Sequence, residues 1–156
     1  MKQFDRPEAE RLVNTYSDTI LRLSYTYLHS VQDAEDICQT VFLKLLTNEA
    51  AFDSPAHEKA WIIRTAVNAC KDELRAFRRR AAPLDAASQV AAPEIPVSKV
   101  LDAVMELPPK YRETIYLYYY EGYSVREIAE LLGRSEAAVS AHLSRGRNKL
   151  RITLGG

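Results

Sequence analysis

The chain has 156 residues, 47% hydrophobic and 27% charged, and its 21 basic and 21 acidic side chains leave a formal net charge of +0. That is enough apolar material for one ordinary domain or two small ones, and five glycines with seven prolines exclude a low-complexity chain. No apolar run approaches the roughly 20 residues needed to cross a bilayer, so no membrane insertion is expected.

The amino terminus, MKQFDRPEAER, is polar and lacks the apolar segment of a secretory signal. Cys38 and Cys70 stand apart, and His29, His57 and His142 are scattered, so no metal-ligand spacing occurs. Two buried, reduced thiols in a cytoplasmic protein are expected.

From Tyr16 onward, Ile20, Leu23 and Leu28 mark a first amphipathic helix. A second begins near Asp33 and runs through Ile37, Val41, Phe42 and Leu45, with Asp33, Glu35 and Asp36 in a first turn whose dipole favours carboxylates. FDSPAHEK (Phe52 to Lys59) predicts a loop, because Ser-Pro disfavours helix continuation. A third helix is predicted from about Glu58 to Arg80, with Trp61, Ile62, Ala66, Ala69 and Leu74 turned to a core. No segment alternates with period two for long enough to suggest a strand.

AAPLDAASQVAAPEIPV (81–97) holds three prolines and no basic residue, a composition suited to a semi-flexible linker. Ser98 then opens a pattern through Val100, Leu101, Val104 and Met105, and LPPKYRE puts prolines at the start of the next helix, where a missing N–H costs little. The expected fold is all-α: two small helical domains, residues 1–80 and 98–156, joined by a flexible linker.

The carboxy-terminal stretch YSVREIAELLGRSEAAVSAHLSRGRNKLR is the most informative. Ser124 and Glu127 have capping-box spacing, Gly133 stands where a helix commonly ends in a left-handed residue, and Ser135 can cap a second helix. Two short helices around a glycine turn make a helix-turn-helix. At about 100° per residue, Val139, Leu143, Gly146 and Leu150 form the buried stripe of the second helix. Ala137, Ala141, Ser144 and Asn148 form a small polar outward face. His142, Arg145 and Lys149 flank it on one side, Arg147 and Arg151 on the other. Cations on both edges suit the phosphates that border a major groove. From Arg134 to the carboxy terminus five cations face one anion, Glu136, a local +4 in a neutral chain. Over a Debye length of roughly 8 Å, that local patch matters more than the total charge.

Three segments in order resemble bacterial RNA polymerase sigma factors of the extracytoplasmic-function group: DAEDICQTVFLKLL, AWIIRTAVNACKDELRAFRRR, and the run from Leu107 to Arg151. The resemblance implies an alternative sigma factor that binds core RNA polymerase and directs transcription initiation. Its first domain would be sigma region 2 and its second sigma region 4. It implies that Asp36, Gln39, Thr40 and Leu43 contact the polymerase clamp. Asn68 would read an extruded base of the minus-ten element, in a pocket lined by Phe52. Lys71, Arg75, Arg78, Arg79 and Arg80 would follow the DNA backbone. Toward the minus-35 element it implies Arg126, Ser140, Ala141, Ser144, Arg145, Arg147 and Lys149. Ser140 and His142 depart from the basic residues common in the group, which leaves Arg145 as the candidate for a bidentate guanine contact. The amino terminus is shorter than in many members. Promoter DNA, core polymerase and an anti-sigma factor are the implied partners; no metal and no cofactor are implied.

Two other classes compete. A free-standing helix-turn-helix regulator accounts for the second domain but gives DAEDICQTVF no purpose. An enzyme would need a phosphate-cradling loop, a metal motif or an activated nucleophile, and none is written in the chain.

Overall fold

The computed structural model describes residues 6–47, 52–80 and 99–155, which are helices and short connections, with no strand among them. The chain divides into two units, Met1–Glu94 and Ile95–Gly156. The sequence-predicted linker, 81–97, lies outside the described residues.

Among the described residues, three helices build the first unit: α1 (Arg6–Leu28), α2 (Val31–Thr47) and α3 (Pro55–Arg80). Each contributes a stripe at steps of three and four. Leu12, Tyr16, Ile20, Leu23 and Tyr27 of α1 meet Ala34, Ile37, Val41 and Leu45 of α2, and Ile62, Ile63, Ala66, Val67 and Cys70 of α3. Burial of each large aliphatic side chain contributes about 1.5–3 kcal/mol. This core is what holds the outer face of α3 in place.

Two helix starts differ from the sequence prediction, each for a local reason. α1 starts at Arg6, ten residues before Tyr16. The residues before Leu12 bury little, and ion pairs run along them: Arg6 with Glu10, and Arg11 with Glu8 and with Glu58 of α3. α3 starts at Pro55 inside the predicted loop. Proline restricts the residue before it but is at home in a first helical turn, and Ser54 Oγ accepts from the His57 N–H at 3.1 Å. Glu58 also accepts from the Tyr16 hydroxyl at 2.7 Å, which ties the start of α3 to α1. Between α1 and α2 the connection is His29 and Ser30 alone; His29 takes a left-handed φ of 57°, and Ser30 Oγ accepts from the Asp33 N–H at 3.1 Å.

The second unit contains α4 (Lys99–Met105), α5 (Pro109–Ile115), a π-helical turn (Tyr116–Tyr120), α6 (Val125–Leu132) and α7 (Glu136–Thr153). Pro109 stands at the start of α5 as its sequence predicts. The buried Arg112 donates to the Met105 carbonyl at 2.8 Å and so satisfies the end of α4. Gly146 lets α7 come close to α5: a Cβ there would lie 3.0 Å from Ile115 Cγ1 and 3.4 Å from Tyr111 Cβ.

No described helix is long and apolar enough to cross a membrane.

Candidate nucleic-acid interface

The helix-turn-helix forms as its sequence predicts. Ser124 Oγ accepts from the Glu127 N–H at 3.1 Å while the Glu127 carboxylate accepts from the Ser124 N–H at 2.9 Å, a complete capping box. Gly133 closes α6 at φ 67°, in the left-handed region. Ser135 Oγ accepts from the Ala138 N–H at 3.0 Å and starts α7. Arg134, in the turn, forms an ion pair with Glu113 of α5, whose side chain is 2% exposed. That contact fixes the turn to the body of the unit.

Val139, Leu143 and Gly146 are buried beneath α7 and Leu150 is half-buried. Ser140, Ser144, Arg145, Arg147 and Lys149 are exposed on it, with Ala141 half-buried between them and Arg126 exposed on α6. Arg147 donates to the Tyr119 hydroxyl at 3.0 Å, and Arg151 to the Asn148 side-chain oxygen at 3.2 Å.

Two residues correct the predicted cationic patch. Arg134 counts toward the local +4, yet its charge is directed at Glu113 rather than outward. His142 packs edge-on against Tyr111 at 5.6 Å with a buried Nδ1, and does not line a charged flank. Burial, then the positive charges of Arg134 and Lys110, push its pKa below the ordinary histidine value, so the ring is neutral at pH 7. The working cations of α7 are therefore Arg145, Arg147, Lys149 and Arg151.

In the first unit, Asn68, Arg75, Arg78 and Arg79 are exposed on α3 and Lys71 is half-buried. At about 100° per residue they share one stripe about 100° wide, opposite the buried Ile62, Ala66 and Cys70. Asp72 pairs with Arg75 and reduces its charge. Arg64 is exposed on the same stripe, and its spacing of four before Asn68 is the one sequence signal that marks it.

Phe52 is half-buried just before α3, its ring 5.8 Å from Trp61 and 5.3 Å from His57. Trp61, expected in the core, is also half-buried. Seven residues separate it from Asn68, two turns along the same side of α3, or about 10 Å. The structure thus brings Phe52 to Trp61, with Asn68 farther along that face.

On α2, Asp36, Gln39 and Leu43 are exposed and Thr40 is half-buried, on the side away from Ile37, Val41 and Leu45. Leu43 is 64% exposed, with the exposed Leu46 one turn beyond it, so apolar surface interrupts a polar face.

Known proteins are similar to this chain. Residues 12–80 match the protein-family model described as Sigma-70 region 2, and residues 98–150 the model described as Sigma-70, region 4. The chain is 31% identical to the ECF RNA polymerase sigma factor SigW of Bacillus subtilis, over 99% of this chain and 92% of SigW. It is 30% identical to SigM of Mycobacterium tuberculosis, over 97% of this chain and 79% of SigM. Among solved structures, the sigma factor RpoE of Bartonella quintana, crystallised with the anti-sigma factor NepR, is similar in fold. Its TM-score is 0.77 at 20% identity, covering 93% of this chain and 95% of RpoE. CnrH, solved with the cytosolic domain of CnrY, gives a TM-score of 0.67 at 22% identity, over 96% of this chain and 89% of CnrH. Ordered regions 2 and 4, relatives aligned over nearly the whole chain, and an all-helical fold of two units agree: the chain belongs to the extracytoplasmic-function group of RNA polymerase sigma factors, which bind core polymerase and direct promoter recognition and transcription initiation.

Proposed function

We propose that the exposed stripe of α3 engages the minus-ten element and the outward face of α7 the minus-35 element, while the face of α2 docks on core polymerase. The observation that carries this reading is a pair of cationic helix faces, one in each matched region, on a chain whose formal net charge is +0. On α3, Arg64, Lys71, Arg75, Arg78 and Arg79 follow the DNA backbone. Asn68 hydrogen-bonds the edge of an unstacked base, with the Phe52–Trp61 aromatics two turns away on the same side of α3 as a stacking surface for a neighbouring base. On α7, Arg145 is the long donor directly beside the small outward face and takes a guanine by two hydrogen bonds. Ser140 and Ser144 add short polar contacts, and Ala141 offers a methyl to a thymine. Arg126, Arg147 and Lys149 hold phosphates.

Asp36, Gln39, Thr40 and Leu43 form the polymerase contact, supported by the exposed apolar surface at Leu43 and Leu46. An anti-sigma factor that covers such surfaces is the proposed regulator; RpoE of Bartonella quintana was crystallised with one, NepR. The chain works in the cytoplasm and catalyses no reaction; polymerisation belongs to its host. The domain limits are 1–80, 81–97 and 98–156.

Run-off transcription with purified core polymerase on a promoter library tests the assignment. Wild-type protein is expected to select one promoter class. Arg145→Ala relaxes one upstream base position by about 1–3 kcal/mol, and Asn68→Ala reduces duplex opening while closed complexes still form. Tight, sequence-specific grip on duplex DNA without core polymerase would overturn the reading in favour of a free-standing regulator.

A further inference from the structure

Arg147 leaves α7 beside Gly146, where that helix packs tightly on α5, and its guanidinium donates to the Tyr119 hydroxyl at 3.0 Å. Tyr119 belongs to the π-helical turn Tyr116–Tyr120. That turn is closed by the Glu121 N–H on the Tyr116 carbonyl at 3.2 Å and the Tyr123 N–H on the Leu117 carbonyl at 3.0 Å. A π turn carries an extra residue per turn and slows the rotation of the side chains around the axis. Tyr119 therefore stays in line with Tyr111 and Ile115, the residues of α5 that face Gly146, and its phenol reaches across to α7. The ring itself is held edge-on by Tyr118 at 4.9 Å.

This contact has features of positioning rather than of stability. Tyr119 is 57% exposed and Arg147 is exposed, so the hydrogen bond competes with water on both sides and contributes little to folding. The phenol is neutral and removes none of the arginine's charge, and among the described residues no carboxylate pairs with Arg147. A long side chain with large rotamer freedom is thus restrained at one N–H while its remaining donors stay available. By contrast, Arg75 on α3 is held by a carboxylate, Asp72, which offsets its charge.

We propose that Tyr119 is a positioning residue that aims Arg147 at one backbone phosphate on the edge of the groove that α7 enters. The inference rests on the reading of α7 as the upstream-element helix. Restraining the guanidinium before binding lowers the ordering cost of the contact. The wide turn at Tyr116–Tyr120 is then a functional feature of the helix, since π turns are frequent at functional sites.

The test uses the full chain assembled with core polymerase on promoter duplex, at a temperature that keeps the duplex closed. Affinity is measured over a salt series for wild type, Tyr119→Phe, Arg147→Gln and the double variant. Loss of one phosphate contact lowers the slope of log affinity against log salt by about 0.9. Arg147→Gln is expected to show that loss, Tyr119→Phe most of it, and the double variant no more than Arg147→Gln alone, because the pair acts as a unit. Base preference at the upstream element stays unchanged in all three, and the phenylalanine ring keeps the packing on Tyr118. If Tyr119→Phe keeps the wild-type slope while Arg147→Gln loses it, the positioning role is refuted and α7 still binds DNA. If neither variant nor Arg145→Ala alters binding, the reading of α7 itself fails and takes the inference with it.

Discussion

The ion pair between Glu113 and Arg134 decides whether the helix-turn-helix keeps its shape, and the two ends of the pair predict different penalties. The Glu113 side chain is 2% exposed and that of Arg134 23% exposed. Removing one partner of a buried pair costs about 3–5 kcal/mol, because the other charge is left uncompensated. Natural domains hold about 0.05–0.15 kcal/mol per residue. A unit spanning Ile95–Gly156 therefore has roughly 3–9 kcal/mol in total. Arg134→Met removes the ion-pair partner of the deeply buried Glu113 carboxylate and is expected at the upper end, enough to unfold much of the unit. Glu113→Gln strands the partly exposed guanidinium, keeps an oxygen that can accept from it, and is expected at the lower end. Replacing both, Glu113→Leu with Arg134→Met, leaves no charge behind and is expected to recover part of the loss, since apolar replacements of buried pairs are often neutral or stabilising. The chain supplies its own internal control. Its single tryptophan, Trp61, lies in the first unit, while Tyr111, Tyr116, Tyr118, Tyr119, Tyr120 and Tyr123 put six of the nine tyrosines in the second. In a urea series the tyrosine signal of Arg134→Met should melt early, while Trp61 fluorescence follows the wild type. A wild-type tyrosine midpoint in Arg134→Met, or a double variant weaker than Arg134→Met, would refute the reasoning.

Gly146→Ala should destabilise the second unit by about 1 kcal/mol, because overpacking typically costs 1–3 kcal/mol and alanine returns about 1 in helix propensity. The new methyl would meet Ile115 Cγ1 at 3.0 Å, and Ile115 is 4% exposed, so it could give way only by shifting within the core. A raised thermal midpoint in the tyrosine signal would contradict this. Burial pushes the Cys70 thiol up to about 12 and the half-buried Cys38 thiol upward as well. Both are therefore predominantly protonated at pH 8, and since the thiolate is the nucleophile, the folded protein should react slowly with a thiol reagent and the urea-unfolded protein quickly. Two rapidly reacting thiols in the native state would be the contrary result.

Local chemistry was legible in advance and backbone register was not. Ser124, Glu127, Gly133 and Ser135 act on their own neighbours, so the start and stop of α6 and the start of α7 follow from spacing alone. The stripe of Val139, Leu143 and Gly146 follows from one helical period. The start of α1 is not legible in this way because the apolar stripe begins only at Leu12, while the residues before it are exposed or half-buried and carry the pairs of Arg11 with Glu8 and Glu58. A π-helical turn leaves no mark in YLYYY, since any run of five residues can widen when tertiary contacts favour it. The Glu113–Arg134 pair joins residues twenty-one apart and looks, in sequence, like two ordinary surface charges. Arg147 reads as one more flanking cation until Tyr119 is found beside it. In the candidate site, then, residue types and faces were readable, while the contacts that orient them were not.

Those orienting contacts also explain how a neutral chain can serve DNA. With Arg134 turned inward, α7 offers Arg145, Arg147, Lys149 and Arg151, and α3 has Arg75 partly offset by Asp72. Phosphate contacts supply essentially all of non-specific DNA affinity, and each face has only a handful of cations for them, on a chain that is neutral overall. Covalent connection makes the second contact intramolecular once the first has formed, and attachment of α2 to polymerase would raise both local concentrations further. Weak faces then become an advantage. On the proposed reading, neither unit would bind non-specific DNA tightly enough to be trapped there, and specificity would be expressed only where the polymerase holds both faces on one promoter. The same arithmetic says that adding charge is harmful. Replacing Asp72 by Asn, which frees Arg75 on an exposed surface, should strengthen binding of the isolated chain to non-promoter DNA and narrow the discrimination shown by the holoenzyme.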